Sequence, residues 1–215
     1  MLIRWYGQSA FLLEHDGTTV FIDPFGDMSG MEARGWEFDY PAIEGVSADL
    51  LLVTHEHRDH NAVEVIGGDP RTIRSTAGTF DDVVAIASEH DEVAGTQRGP
   101  NTIFSFEFGG ARICHFGDFG QRALRPEQLQ AIGKVDVLFM PIGGGVTLDG
   151  VAAAEVVSEL EPRLVVPMHY RTEAINFLDP PDAFIEAVGG DVVRIPGNEL
   201  AGEEHEGAVL LSPPS

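Results

Sequence analysis

Cysteine is almost missing: Cys114 is the only one in 215 residues, so no disulfide can form within the chain. A bridged scaffold is excluded, and the usage predicts a reducing, cytoplasmic setting. Bases are scarce as well, with 13 Lys and Arg against 35 Asp and Glu, a net charge of −22, and Lys134 the sole lysine. So acidic a surface repels phosphate backbones, which argues against nucleic acid as a partner. Two bound divalent cations would shift the balance only from −22 to −18. No apolar run approaches a membrane span, and the start "MLIRWYGQSAFLLEHDG" has no secretory apolar stretch, so no membrane partner is expected. A Gly-x-Ser-x-Gly elbow is also lacking, which leaves a serine-based triad without support. "PIGGGV" at 141–146 has neither the lysine nor the spacing of a phosphate-binding loop and reads as close backbone packing.

What the chain does have suits a globular α/β protein: 43% apolar residues, 22% charged residues, and enough length for one domain with a sizeable core. Period-2 patterning predicts strands at 2–6, 10–14 and 19–23, the last two joined by an Asp16-Gly17 hairpin turn. Further strands are predicted at 49–53, 71–75, 83–87, 102–108, 111–116, 136–140, 163–166 and 191–194. Helices are predicted at 61–67, 125–132, 149–160 and 180–187. Residues 24–47 show no period and read as a long loop, either folded over a site or packed on itself.

The histidines are unevenly spread. "VTHEHRDHN" at 53–61 holds three of the eight, directly after an apolar strand. His55 and His57 are two residues apart, so in extended chain they face the same side; Asp59 repeats the spacing and His60 follows. His90, then His115 with Asp118, then His169 each stand at the end of another predicted strand. If those strands share a sheet, their loops converge at one edge. Imidazole nitrogen with carboxylate oxygen suits zinc, with manganese, iron or cobalt also accommodated.

With those residues in view, "THEHRDHN" followed by His90, Asp118 and His169 resembles the metallo-β-lactamase superfamily. "IRWYGQSAFLLEHDGTTVFIDPF", "RGPN", "CHFGDFG", "DVLFMPIGGG" and "VVPMHYRT" resemble its small metal-dependent hydrolases, allied to L-ascorbate-6-phosphate lactonase and N-acyl phosphatidylethanolamine phospholipase D. The resemblance spans nearly the whole chain and implies a four-layer αββα sandwich with two divalent metal ions at one edge, most suitably Zn2+, with Mn2+ or Fe as alternatives. It implies that His55, His57 and His90 hold the first metal, that Asp59, His60 and His169 hold the second, and that Asp118 bridges. One departure stands out: the family commonly has Gly-His where this chain has Gly7-Gln8.

Such a pair of cations would supply a bridging hydroxide, with Asp59 as the catalytic residue that orients it and passes a proton to the leaving group. His115 reads as an orienting partner behind a ligand. Asp23 reads either as another or as a turn aspartate before proline. Arg98, Tyr170 and Arg171 are candidates to hold substrate, while Arg58 is expected to face away from the metals. The expected activity is zinc-dependent hydrolysis of a small, anionic ester, lactone or phosphodiester. The alternatives are an iron-dependent oxidative enzyme and a metal-binding regulatory protein.

Overall fold

Short apolar segments separated by Gly, Asp and Pro pair into two sheets in the computed structural model, which describes residues 1–145 and 147–214. In chain order the strands and helices are β1 (Leu2–Gly7), β2 (Ala10–His15), β3 (Thr18–Ile22), β4 (Leu50–Val53), β5 (Arg71–Arg74), β6 (Gly78–Phe80), β7 (Val83–Glu89), β8 (Pro100–Phe108), β9 (Ala111–His115), α1 (Pro126–Ile132), β10 (Val137–Pro141), α2 (Gly150–Leu160), β11 (Leu164–Met168), α3 (Asp182–Val188), β12 (Val193–Ile195), β13 (Glu199–Ala201) and β14 (Gly207–Leu211). One sheet has the order β13-β1-β2-β3-β4-β5 and the other β12-β14-β11-β10-β9-β8-β7-β6. The β2–β3 hairpin turns on Asp16 and Gly17, both with positive φ (49° and 78°), as a tight primed turn requires.

Alternation along the strands decides the layers. Phe11, Leu13, Val20, Ile22 and Leu52 face the second sheet and join its core, where Phe11 meets Phe139 with ring centroids 4.4 Å apart. Leu12, Phe21 and Leu51 point the other way, against Phe25, Tyr40, Ile43, Ile175 and Leu178. The outer cover of the smaller sheet is therefore loop, including much of 24–47, with a 3-10 turn at Ser29–Arg34. The helices follow strands of the larger sheet, and Ala153, Val156, Val157 and Phe184 belong to the core shared with it. Two packed sheets and, among the described residues, three α-helices give the mixed α/β class expected, the layer over the smaller sheet being loop.

Two local expectations are corrected. The helix expected at 61–67 is only a 3-10 turn, Val63–Val65, with no side-chain cap. Its β-branched residues and the following Gly67-Gly68 favour extended chain, and Gly67 N donates to Val46 O instead of continuing a helix. Strands β6, β13 and β14 were not expected. "GAVLL" in β14 carries no alternation because Ala208 to Leu211 are all buried between β11 and β12.

The topology fixes where loops converge. β3, β4 and β5 run parallel, as do β9, β10, β11 and β14, and two antiparallel steps bring β7 back into line with β9. The carboxyl ends of β3, β4, β7, β9 and β11 thus lie along one edge of the sandwich.

Candidate metal centre

At that edge the local sequence builds a brace before it builds the site. Asp23, the residue after β3, receives Thr54 N at 2.8 Å on Oδ1 and Thr54 Oγ1 at 2.7 Å on Oδ2. Since the Thr54 proton goes to Asp23, the 3.0 Å contact between Thr54 Oγ1 and His55 Nδ1 has the imidazole as donor. His60 Nδ1 donates to the same Asp23 Oδ2 at 2.9 Å. One buried carboxylate therefore anchors the Nδ1 side of both histidines, directly for His60 and through Thr54 for His55, and turns both Nε2 atoms toward the cluster. Asp23 is an orienting residue as well as the turn before Pro24.

Two donor groups result. His55, His57 and His90 form one; Asp59, His60, Asp118 and His169 form the other; within each, the candidate ligand atoms all lie within 4.8 Å of one another. Asp118 links them, its Oδ2 lying 3.1 Å from Nε2 of both His90 and His169, while Oδ1 is 3.3 Å from His60 Nε2. His55 Nε2 and His57 Nδ1 are 3.1 Å apart. Tetrahedral zinc with bonds of 2.0–2.1 Å requires donor separations of about 3.3 Å, so this spacing suits a shared cation. His60 Nε2 is buried and makes no hydrogen bond. A buried polar nitrogen in that condition costs about 1–3 kcal/mol, and a metal ion would satisfy it. The donor set fits the cations.

Burial and neighbouring charge act together on these groups. Desolvation pushes His55 and His57 below the usual histidine range, with neighbouring imidazoles adding to it. Desolvation also lowers His60, but Asp118, Asp59 and Asp23 outweigh it and hold that ring well above its ordinary value. Burial would raise Asp118, yet His169, His60 and His90 hold it well below the usual carboxylate range. Asp59 is likewise held low, against burial, chiefly by His60.

Behind the donors stand Gln8, singled out in the sequence as a departure, and three residues that were not: Thr54, Glu56 and Asn101. Gln8, in place of the family's usual histidine, is fully buried and donates from Nε2 to Asp59 Oδ2 at 3.0 Å. Glu56 turns outward between His55 and His57, pairs with Arg74 Nε at 2.8 Å and receives Ser75 Oγ at 2.6 Å, tying the histidine loop to β5. Asn101 Oδ1 accepts Asp118 N at 3.1 Å. Thr54, Glu56 and Asn101 stand within or beside "THEHRDHN" and "RGPN"; their direction depends on turns that spacing alone does not reveal.

The other candidates divide. His115 Nε2 donates to Ser9 O at 3.1 Å while Nδ1 accepts Gly117 N at 3.1 Å, an uncharged ring bracing the turn to Asp118. Arg98 lines the cavity over the cluster. Tyr170 does not: its ring stacks on Trp5 at 5.6 Å and its hydroxyl donates to Leu211 O at 3.2 Å. Arg171, next to it, lines a separate surface hollow with Thr172 and Arg194. Both point to the far side because the chain reverses after His169, whose φ is +51°. Arg58 is corrected in the opposite sense, since it lines the metal cavity. Gly143 packs on His169, where a Cβ would collide with the carbonyl oxygen, as expected of close backbone approach; Val146, at the end of that stretch, lies outside the described residues.

Two packed sheets with a buried His/Asp donor set at one edge define a metal-binding protein of the metallo-β-lactamase type. Residues 2–169 match the family described as beta-lactamase superfamily domain. A UPF0173 metal-dependent hydrolase of Thermococcus kodakarensis is 33% identical, covering 92% of this chain and 98% of the relative. A crystal structure from Thermotoga maritima, named as a candidate zinc-dependent hydrolase of the metallo-β-lactamase superfamily, shares 30% identity and a TM-score of 0.78, covering 100% and 99% of the two chains. The diiron β-hydroxylase CmlA of Streptomyces venezuelae shares the fold alone, at 20% identity and TM-score 0.53, over 88% of this chain and 47% of its own. The chain belongs to the beta-lactamase superfamily, among its metal-dependent hydrolases; these relatives are not named for the lactonase branch. Among the described residues no helix is long and apolar enough to cross a membrane.

Proposed function

We propose that this protein is a dinuclear zinc hydrolase of small anionic esters, lactones or phosphodiesters, working in the cytoplasm on a small-molecule substrate and not on nucleic acid. His55, His57 and His90 would hold one cation and Asp59, His60 and His169 the other, with Asp118 shared between them. The observation that carries the reading is the single Asp118 oxygen 3.1 Å from both His90 and His169: a buried carboxylate so shared is built to join two ions. Bound there, the cations would make water acidic enough to supply a hydroxide near neutral pH and would polarise the oxygen that gains charge.

The chain's own residues do the rest. Asp23 anchors His60 directly and His55 through Thr54, with both Nε2 atoms toward the cluster. Gln8 fixes Asp59 by its 3.0 Å bond, so the carboxylate at the cavity floor stays aimed, orients the attacking water and carries its proton to the leaving group. Zinc is favoured by the nitrogen-rich donor set and by the zinc-dependent name of the Thermotoga maritima relative.

Elemental analysis of protein purified without added metal tests this directly. Two zinc equivalents per chain are expected, falling below one in Asp118→Asn with the circular dichroism spectrum preserved. Turnover of a panel of lactones and phosphodiesters should disappear in Asp59→Ala and with a chelator. Iron in the protein with no ester turned over would move the assignment to the oxidative reading. Full metal loading with no turnover would move it to a regulatory one.

A further inference from the structure

The cavity above the cluster is about 360 Å³, and its lining is of two kinds. One wall is apolar: Met28, Met31, Trp36 and Phe177, with the Trp36 and Phe177 rings stacked at 5.1 Å. Trp36 is 37% exposed, and water gains nothing from such a surface. The rim is cationic, formed by Arg58 and Arg98. Arg71, Arg74, Arg112 and Arg125 each pair with a carboxylate. Among the described residues no carboxylate lies within 4.0 Å of Arg58 or Arg98; Asp27 senses Arg58 only from farther away. Two guanidinium groups beside one cavity, unpaired with any carboxylate among the described residues, leave room for an incoming anion.

Arg98 is held in place by its loop. The Asp91 carboxylate accepts backbone N–H bonds from Val93, Gly95, Gln97 and Arg98 at 2.7–2.9 Å, so the turn wraps one side chain and returns next to His90. Arg98 also borders a second hollow, but that one carries Asp91, Glu92, Asp149 and Glu155 against Arg122. An anion there would meet excess negative charge, so the metal side is the favourable one.

We propose that the substrate is an anionic amphiphile. An oxyanion, carboxylate or phosphate, pairs with Arg58 and Arg98. An apolar group about the size of one ring rests on Met28, Met31, Trp36 and Phe177, and the bond to be cleaved lies between them over Asp118. This deepens the hydrolase assignment and rests on it.

Binding of methylphosphonate and benzylphosphonate to the metal-loaded protein, measured by calorimetry, tests the ligand class without needing turnover. Benzylphosphonate should bind about tenfold tighter, the scale expected when a ring leaves water. Trp36→Ala should bring the ratio to within about twofold, and Trp36→Phe should restore it, with unchanged melting temperature showing that both fold. Arg58→Gln with Arg98→Gln should weaken both probes while leaving their ratio intact. A carboxylate pair, acetate and phenylacetate, shows whether the oxyanion preference extends beyond phosphorus. Equal affinities in the wild type, or a ratio indifferent to Trp36→Ala, would overturn the apolar seat even if ester hydrolysis is found. The expected ratios with no hydrolysis would leave the ligand class standing and remove the reaction instead.

Discussion

At the scale of single residues, Gln8 shows how this site departs from a pattern and stays coherent. Its amide donates to Asp59, but its Oε1 is buried with no hydrogen-bond partner, and its φ is +51°. Both features destabilise the fold, at about 1–3 kcal/mol for an unpaired buried acceptor, so the residue is explained by what it does for Asp59. Replacing it with an apolar side chain should separate stability from function. In Gln8→Met the melting temperature should hold or rise, while metal affinity or turnover falls about 10–100-fold, the range typical of partners that orient a ligand. Equal losses in melting temperature and activity would show instead that Gln8 is a packing residue. Cys114 makes the opposite case. It is fully buried, and desolvation pushes its thiol well above the ordinary range, so it is the inert core residue that its place in an apolar strand suggests.

Among the elements, the 24–47 segment was the hardest to read and has two jobs. Its middle supplies Met28, Met31 and Trp36 to the cavity wall, and its end lays Tyr40 and Ile43 over the outer face of the smaller sheet. No periodicity marks it, because its contacts are set by whatever lies beneath each residue and not by a helical or strand repeat. Tyr40 reports on that cover. Burial pushes its phenol up to about 12, against a smaller opposing effect of its 3.1 Å bond to Thr172 Oγ1. Because the folded value is raised for a group that is neutral when protonated, its contribution to stability is complete below pH 10. That contribution is lost as pH rises through about 12. Phenolate absorbance from Tyr40 should therefore appear together with alkaline unfolding, and Tyr40→Phe should remove that increment. Titration of the increment near pH 10 with the fold intact would show the segment standing open. Tyr40→Phe should also cost about 1 kcal/mol in denaturant unfolding through the lost hydrogen bond.

For the whole molecule, the charge of −22 is the dominant feature outside the site. Self-repulsion of that size works against the compact state, and salt screens it over about 8 Å at physiological ionic strength. Moving from about 10 mM to about 0.5 M sodium chloride should thus raise the melting temperature, by about 2–4 °C for each kcal/mol relieved. A flat or falling response would mean that the excess acids lie too far apart to repel one another and that salt mainly weakens pairs such as Glu56 with Arg74 and Glu107 with Arg112.

Hydrophobic period and residue type determined the mixed α/β class, most strand positions and the chemistry of the donors, because they are local properties that survive without coordinates; the sandwich followed from the resemblance of the motifs. The sequence named His90 as a donor candidate from its place after a strand, and the sandwich indeed brings that ring to Asp118. It expected Arg58 away from the cavity that this residue lines, offered Tyr170 and Arg171 as substrate contacts where the fold places them elsewhere, and left Asp23 undecided. Those outcomes depend on backbone reversals: the turn through 54–60, the positive φ at His169, the packing of Gly143 beneath it. Whether a side chain next to a ligand faces the cavity or the core changes with a single rotation of the chain. Only the packed tertiary structure fixes that rotation, through contacts made by residues far away along the sequence.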